Sequence, residues 1–191
     1  MKNRLLGQRD IIVYLAEILN RCNIPYLLTG SIAVSYYGRP RATHDIDFVI
    51  EIPKEESNKF LTVFKKLGRD FSLDFHQIEQ AIVKGNFFDI FHPDSGLKID
   101  FWLSKNEFDL NKFARKNKIM VNKYTVNLVS AEDILLTKLL WCKKIRSDRH
   151  LRDCVGIWQI QKNKLDMTYL NLWANKLTVN KLLEEIKVMN Y

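Results

Sequence analysis

The stretch that decides the fold begins Leu28-Thr29-Gly30-Ser31 and resumes, after a short apolar segment, as Arg39-Pro40-Arg41-Ala42-Thr43-His44-Asp45-Ile46-Asp47. From Asp45 onward the residues alternate. Ile46, Phe48, Ile50 and Ile52 fall on one side of an extended chain, and Asp45, Asp47, Val49 and Glu51 fall on the other. The predicted element is a strand with a core face and an acidic face. Ahead of it, Tyr26-Leu27-Leu28 reads as a short buried strand. Ile32 to Tyr37 reads as a short helix stopped by Gly38 and Pro40. Gly30-Ser31 is then a strand-to-helix turn.

Two aspartates two apart on a strand project from one face and repel unless a cation is shared between them. Mg²⁺ suits such a pair, because it takes oxygen ligands and keeps waters and phosphate oxygens as its remaining partners. A third carboxylate on a neighbouring strand would complete a two-metal cradle. Phe87 to Phe91 and Leu97 to Leu103 read as a hairpin across His92-Pro93-Asp94-Ser95-Gly96. In its second strand Leu97, Ile99, Phe101 and Leu103 form one face, and Lys98, Asp100, Trp102 and Ser104 the other. Asp100 is the leading third acid. Asp89, between apolar neighbours in the first hairpin strand, is its rival. At Gly30 the missing side chain lets backbone approach a phosphate, and the Ser31 hydroxyl with the free amides of a helix start can hold phosphate oxygens. Taken singly, Asp-x-Asp is most often a pair of exposed acids and Gly-Ser a plain turn. Their order along the chain is what points to nucleotide chemistry.

Outward from this centre, Gln8 to Arg21 carries the apolar stripe of an amphipathic helix, ended by Asn23 and Pro25. Further helices are predicted over Lys54 to Leu67 with a stop near Gly68, over Phe75 to Lys84 and near Phe108 to Lys116. Strands are predicted at Lys118 to Val121 and Tyr124 to Val129. Ser130, three residues before Asp133, reads as the cap of a helix running through Leu135, Leu139 and Trp141. Ser147 to Gln161 and two segments within Met167 to Met189 complete a helical tail. The expectation is an α+β fold, a small mixed sheet flanked by helices. Residues 1–129 would form a catalytic domain and residues 130–191 a helical C-terminal subdomain packed on it.

Composition narrows the class. Of 191 residues, 47% are hydrophobic and 27% charged, the balance of a globular chain. No apolar run approaches the roughly 20 residues a membrane span needs. Met1-Lys2-Asn3-Arg4 is basic, but Asp10 and Glu17 interrupt the apolar pattern beyond it, so neither signal peptide nor membrane partner is expected and a cytoplasmic location is. Cys22, Cys142 and Cys154 form no metal-ligand spacing, and Cys142 and Cys154, inside helical apolar patterns, read as buried free thiols. The net charge of +8 favours a polyanionic partner such as RNA.

The Leu28–Ser31 turn followed by Arg41-x-Thr43-x-Asp45-x-Asp47 resembles the signature of the DNA polymerase β-like nucleotidyltransferase superfamily, and its form is similar to the bacterial AbiEii-type and minimal nucleotidyltransferase branch. Leu97-Lys98-Ile99-Asp100-Phe101 resembles the strand bearing that superfamily's third carboxylate. Ser130 to Lys138 is similar to a family helix whose lysine faces the nucleotide. Ser147 to Asp153 and Leu165 to Leu170 look like the family's helical tail, so the likeness spans most of Tyr26 to Leu182.

The resemblance implies a nucleotidyltransferase fold and transfer of a nucleoside monophosphate from a nucleoside triphosphate to an acceptor hydroxyl. Asp45, Asp47 and Asp100 would be both catalytic and ligands of two Mg²⁺ ions, with Asp100 also a candidate base. Gly30 and Ser31 would hold the triphosphate, Arg41 and Thr43 would shape the approach to the acids, and Lys138 would neutralise phosphate charge. Arg149, His150, Arg152 and Asp153 either reach the cleft or make surface pairs of small worth. RNA, especially a tRNA end, is the favoured acceptor, with a protein side chain or a small molecule as alternatives. A toxin role with a cognate antitoxin is implied, and a non-catalytic nucleotide- or RNA-binding protein of the same fold remains the competing reading.

Overall fold

The computed structural model describes residues 6–67, 70–145 and 147–189, apart from the side chain of Lys54. Met1 to Arg4 and Gly68, the expected stop of the third helix, lie outside the described residues. The chain forms two compact units, each made of two segments. One holds the residues up to Thr29 together with Thr43–Leu128; the other holds Gly30–Ala42 and everything from Val129 onward.

The first unit is built on a six-stranded mixed sheet. Its strands are β1 (Tyr26–Leu28), β2 (Asp45–Ile50), β3 (Phe87–His92), β4 (Leu97–Leu103), β5 (Asn117–Val121) and β6 (Tyr124–Leu128), in the spatial order β3-β4-β2-β1-β6-β5. β1 runs antiparallel to β2 and parallel to β6. β2 and β4 are parallel and paired from Asp45 opposite Lys98 to Ile50 opposite Leu103. Parallel neighbours need a crossover. Here the chain supplies it through α3 (Ser57–Leu67), α4 (Phe75–Lys84) and β3, which returns antiparallel to β4. The hairpin between β3 and β4 turns on Gly96, whose φ of 66° is left-handed and suits a residue without Cβ.

The apolar halves of these alternations meet as the core. Ile46, Phe48, Phe88, Ile99 and Phe101 are fully buried with Phe60 and Phe64 of α3. Their rings interlock: Phe101 lies 4.9 Å from Phe88, and 5.5 Å from both Phe48 and Phe64, centroid to centroid. Val49, on the acid side of the alternation, is buried too, so the far end of β2 is covered on both faces. α1 (Gln8–Arg21) buries Ile11, Ile12, Leu15, Ile18 and Leu19 along the predicted stripe. α5 (Glu107–Ala114) is capped by Asn106, whose side chain accepts from the Asp109 amide, and stops before Lys116. Its end is earlier than the apolar pattern suggests because the chain turns extended at Asn117 to pair with Leu128.

The second unit contains α2 (Gly30–Tyr37), α6 (Ala131–Lys144), α7 (Asp148–Gln161), α8 (Met167–Lys176) and α9 (Asn180–Val188). Ser130 caps α6 as its spacing predicts, accepting from the Asp133 amide at 3.1 Å. The Tyr169 hydroxyl donates to Asp133 at 2.7 Å, tying α8 to α6. Residues 30–42 join these helices rather than the sheet. Tyr37 donates to the Val129 carbonyl at 2.9 Å, and Gln161 of α7 donates to the Tyr37 carbonyl at 2.8 Å. The thiols of Cys142 and Cys154, twelve residues apart, share a hydrogen bond between α6 and α7. Burial, then that bond, pushes the Cys154 thiol up. Among the described residues no helix is long and apolar enough to cross a membrane.

Candidate functional site

In the first unit the acids line up by strand register. Asp47 pairs with Asp100 of β4, and Asp100 pairs with Asp89 of β3, so the three form one row across neighbouring strands. Adjacent strands stand about 4.8 Å apart, so Asp100 is the nearest neighbour of Asp47 and Asp89 stands one strand further out. Asp45 is the next acid along β2 on the same face, and it pairs with Lys98. Asp45, Asp47, Asp89 and Asp100 are all half-buried, whereas the intervening Ile46 and Phe48 are fully buried.

Lys98 stands beside this row, two residues before Asp100 on the same face of β4. Its Nζ is 2.8 Å from Asp100 Oδ1, with the lysine side chain 42% exposed and the aspartate 15%. Burial holds the Asp100 carboxyl above the usual carboxylate range; Lys98 pulls it back, and the charges of Asp89 and Asp45 push it up again. Burial works against the Lys98 charge, but Asp100, Asp89 and Asp45 outweigh it and hold the ammonium above its ordinary value. The alternation of β4 already puts Lys98 on the acid face, so the sequence carries the signal for its place, though not for its partner.

Thr43 acts on the backbone that enters β2. Its hydroxyl accepts from the Asp45 amide at 3.2 Å and lies 3.3 Å from the Asp45 carbonyl oxygen, which fixes the start of the acid strand. The Thr29 amide, last of the sheet unit before Gly30, donates to the Asp47 carbonyl at 2.9 Å.

The donor set suits a hard cation: these are carboxylate oxygens without sulfur or imidazole among them. The lysine already drawn into the row shows that it attracts positive charge. Among the described residues no three His, Cys, Asp or Glu side chains are gathered closely enough to hold a metal ion. The carboxylates of the row fit Mg²⁺ in their chemistry and share one face, while Lys98 engages one of them and their side chains are not drawn together around a single point.

In the second unit Gly30 opens α2 with φ 62°, a left-handed conformation that accounts for glycine there. Ser31 is buried, and its Oγ accepts from Arg41 Nη2 at 2.7 Å. The same guanidinium grips Asp153 of α7 with two bonds, Nε at 3.1 Å and Nη2 at 3.2 Å. Lys138 of α6 reaches Asp153 Oδ2 at 3.1 Å. Lys138 and Asp153 are both buried, so Asp153 does not make a solvated surface pair. Two cations around one carboxylate leave the cluster net positive beside the Ser31 hydroxyl. A cavity of about 180 Å³ adjoins it, lined by Arg39, Arg41, Arg152 and Asp153 with Val34, Pro40 and Gly156.

Arg149 and Arg152 are exposed. The His150 ring is half-buried, and burial first, then the Lys138 charge, lowers its pKa. Sequence reasoning misses Asp153 as the hub. Its signal is an acid followed directly by Cys154 and Val155 in a helix, a place where a buried carboxylate demands a cation.

Solved structures similar to this one include a nucleotidyltransferase-like protein and antibiotic-modifying enzymes. An antigenic nucleotidyltransferase-like protein from Paracoccidioides brasiliensis is 18% identical, with a TM-score of 0.57 over 93% of this chain and 90% of that one. The antibiotic-resistance factor ANT(2'')-Ia is 14% identical, with a TM-score of 0.58 over 93% and 95%. The lincosamide antibiotic adenylyltransferase LnuA, in its lincomycin-bound form, is 12% identical, with a TM-score of 0.52 over 82% and 99%. Likeness at these identities is likeness of fold. No curated protein matches the chain. The family described as nucleotidyl transferase AbiEii toxin, type IV TA system, matches residues 18–182, and the chain belongs to it. It is a nucleotidyltransferase enzyme, with a nucleotide as substrate.

Proposed function

We propose that this enzyme moves a nucleoside monophosphate from a nucleoside triphosphate to the hydroxyl of an RNA acceptor, a tRNA end foremost. The row of Asp47 and Asp100 on paired strands, with Asp45 beside it on the same face, is the observation that carries the reading. Asp45, Asp47 and Asp100 would hold Mg²⁺. Bound there, the metal would supply activation of the attacking hydroxyl and charge for the leaving pyrophosphate.

The chain's own groups divide the remaining work. Gly30 lets backbone approach the triphosphate, and Ser31 with the first amides of α2 offers donors to its oxygens. Arg41 and Lys138, in excess over Asp153, neutralise phosphate charge. Thr43 fixes the backbone from which Asp45 projects. Asp100, on the strand beside Asp47, is the candidate base for the acceptor hydroxyl's proton. Most of the rate would come from positioning and charge neutralisation.

An RNA acceptor is supported by the net charge of +8 and by the arginines around the cavity beside Arg41. The family description supports a toxin role with a cognate antitoxin as partner. A small-molecule acceptor is the second reading, favoured by the fold shared with ANT(2'')-Ia, a structure of which holds adenylyl-2''-tobramycin. Labelled nucleoside triphosphates, Mg²⁺ and total tRNA, with a parallel arm of aminoglycosides, separate the two. Label is expected in the RNA, and about 100-fold or more is lost on Asp45→Asn with Asp47→Asn, the scale at which removed electrostatic groups act. Equal labelling by wild type and the double variant would sink the assignment. Growth arrest on expression, absent in the same variant, is expected of a toxin.

A further inference from the structure

The acid face carries one cation that neither the fold nor the transfer chemistry demands. Lys98 stands opposite Asp45 in the β2–β4 register and two residues before Asp100 on the same strand face. Its ammonium makes a contact ion pair with Asp100 at 2.8 Å and lies 5.5 Å from the Phe87 ring centroid. It therefore sits among Asp45, Asp100 and Asp89, the carboxylates on the three strands of the row. A structural lysine at such a place would be buried with its partner, as Lys138 is with Asp153. Lys98 is not: its side chain is 42% exposed on a four-carbon stem, while Asp100 is 15% exposed. The ammonium can leave toward water; the carboxylate is held by the strand.

We propose that Lys98 is a built-in counterion that holds Asp100 in the metal-free enzyme and swings out when a divalent cation takes that oxygen. The proposal rests on the reading of Asp45, Asp47 and Asp100 as metal ligands. Mg²⁺ needs its ligand oxygens at about 2.0–2.1 Å and in near-octahedral directions. An ammonium on the same Asp100 oxygen and a metal ion beside it exclude one another, both by space and by like charge. The lysine thus screens the repulsion of the acid row before metal arrives, and metal must displace it to bind. Metal alone is held weakly as a result. Metal arriving with a triphosphate is held better, because phosphate oxygens supply further ligands and offer the displaced ammonium a new anionic partner.

The test uses the full chain without nucleotide and Mn²⁺ as probe, with free Mn²⁺ read by electron paramagnetic resonance. Lys98→Met is expected to tighten Mn²⁺ binding about tenfold, the scale of removing one nearby screened charge. Lys98→Arg, which keeps the cation, should stay within about twofold of wild type, as should Lys105→Met, which removes the same charge from the exposed end of β4's strand exit. In chelator, Lys98→Met should melt below wild type, and Mn²⁺ should restore it. Unchanged or weaker Mn²⁺ binding in Lys98→Met, or none in either protein, overturns the proposal. Asp45→Asn with Asp47→Asn runs beside it. If that variant keeps wild-type Mn²⁺ binding, the metal assignment itself has failed; if it loses Mn²⁺ while Lys98→Met changes nothing, only the lysine's role has.

Discussion

Asp153 has two buried or part-buried cations on it and almost no access to water. Arg41 needs both of its carboxylate oxygens to stay in the orientation that also brings Nη2 to Ser31. Removing the negative charge leaves Lys138 buried without its anion, and breaking a buried pair from one side costs about 3–5 kcal/mol. Asp153→Asn is therefore expected to lower unfolding free energy by about 3 kcal/mol, read from urea midpoints. Asp153→Ala together with Lys138→Met should recover part of that loss, because the orphaned charge is gone as well. A loss below about 0.5 kcal/mol in Asp153→Asn would mean that the cluster is solvated in a way its burial denies. A cluster that also meets the triphosphate should lose nucleotide affinity in both variants.

At the scale of elements, alternation gives a strand its faces but not its partners. The acid and apolar faces of β2 and β4 were both legible from residues 45–52 and 97–104. That Asp47 stands beside Asp100 was not, because parallel register depends on the crossover through α3 and α4 and on how Phe60 and Phe64 seat against Phe88 and Phe101. For the same reason the choice between Asp100 and Asp89 could not be made locally: both face the same way, and only strand order separates their distances from Asp47. The contact of α2's exit with α7 is of this kind too. Gly38 reads locally as a helix stop, yet its role is set across 119 residues. A Cβ there would stand 3.0 Å from the Ile157 amide nitrogen and 3.1 Å from the Val34 carbonyl oxygen. Both are helix backbone and cannot give way cheaply. Gly38→Ala is expected to destabilise the fold by about 1–3 kcal/mol, the usual cost of overpacking, despite alanine's better helix propensity. Gly85→Asn, at a left-handed position with open space around it, is the contrasting control and should cost little. Thermal unfolding of the two variants distinguishes a packing role from a merely conformational one.

For the molecule as a whole, the last strand of the sheet ends at Leu128, and the second unit takes up the chain from Val129. What the sequence could not show is that residues 30–42 leave the sheet unit to join it, since the ties are Tyr37 to Val129, Gln161 to Tyr37 and Arg41 to Asp153. Net charge belongs to this scale as well, because it acts through the summed field rather than through any one contact. An RNA acceptor held by that field displaces counterions as it binds, and for a single strand log K falls with log salt by about 0.7 for each phosphate neutralised. Three such contacts predict a loss of roughly tenfold to twentyfold between 50 and 200 mM salt. A small-molecule acceptor carrying no phosphate has no such term, and a cationic one would be repelled by the same field. Anisotropy of a labelled single-stranded RNA across that salt range is expected to give the steep slope, and Arg39→Gln with Arg152→Gln, both at the cavity beside Arg41, should flatten it by about one to two phosphates' worth. A flat line in the wild-type enzyme, with transfer activity intact, would move the acceptor from RNA to the small-molecule reading.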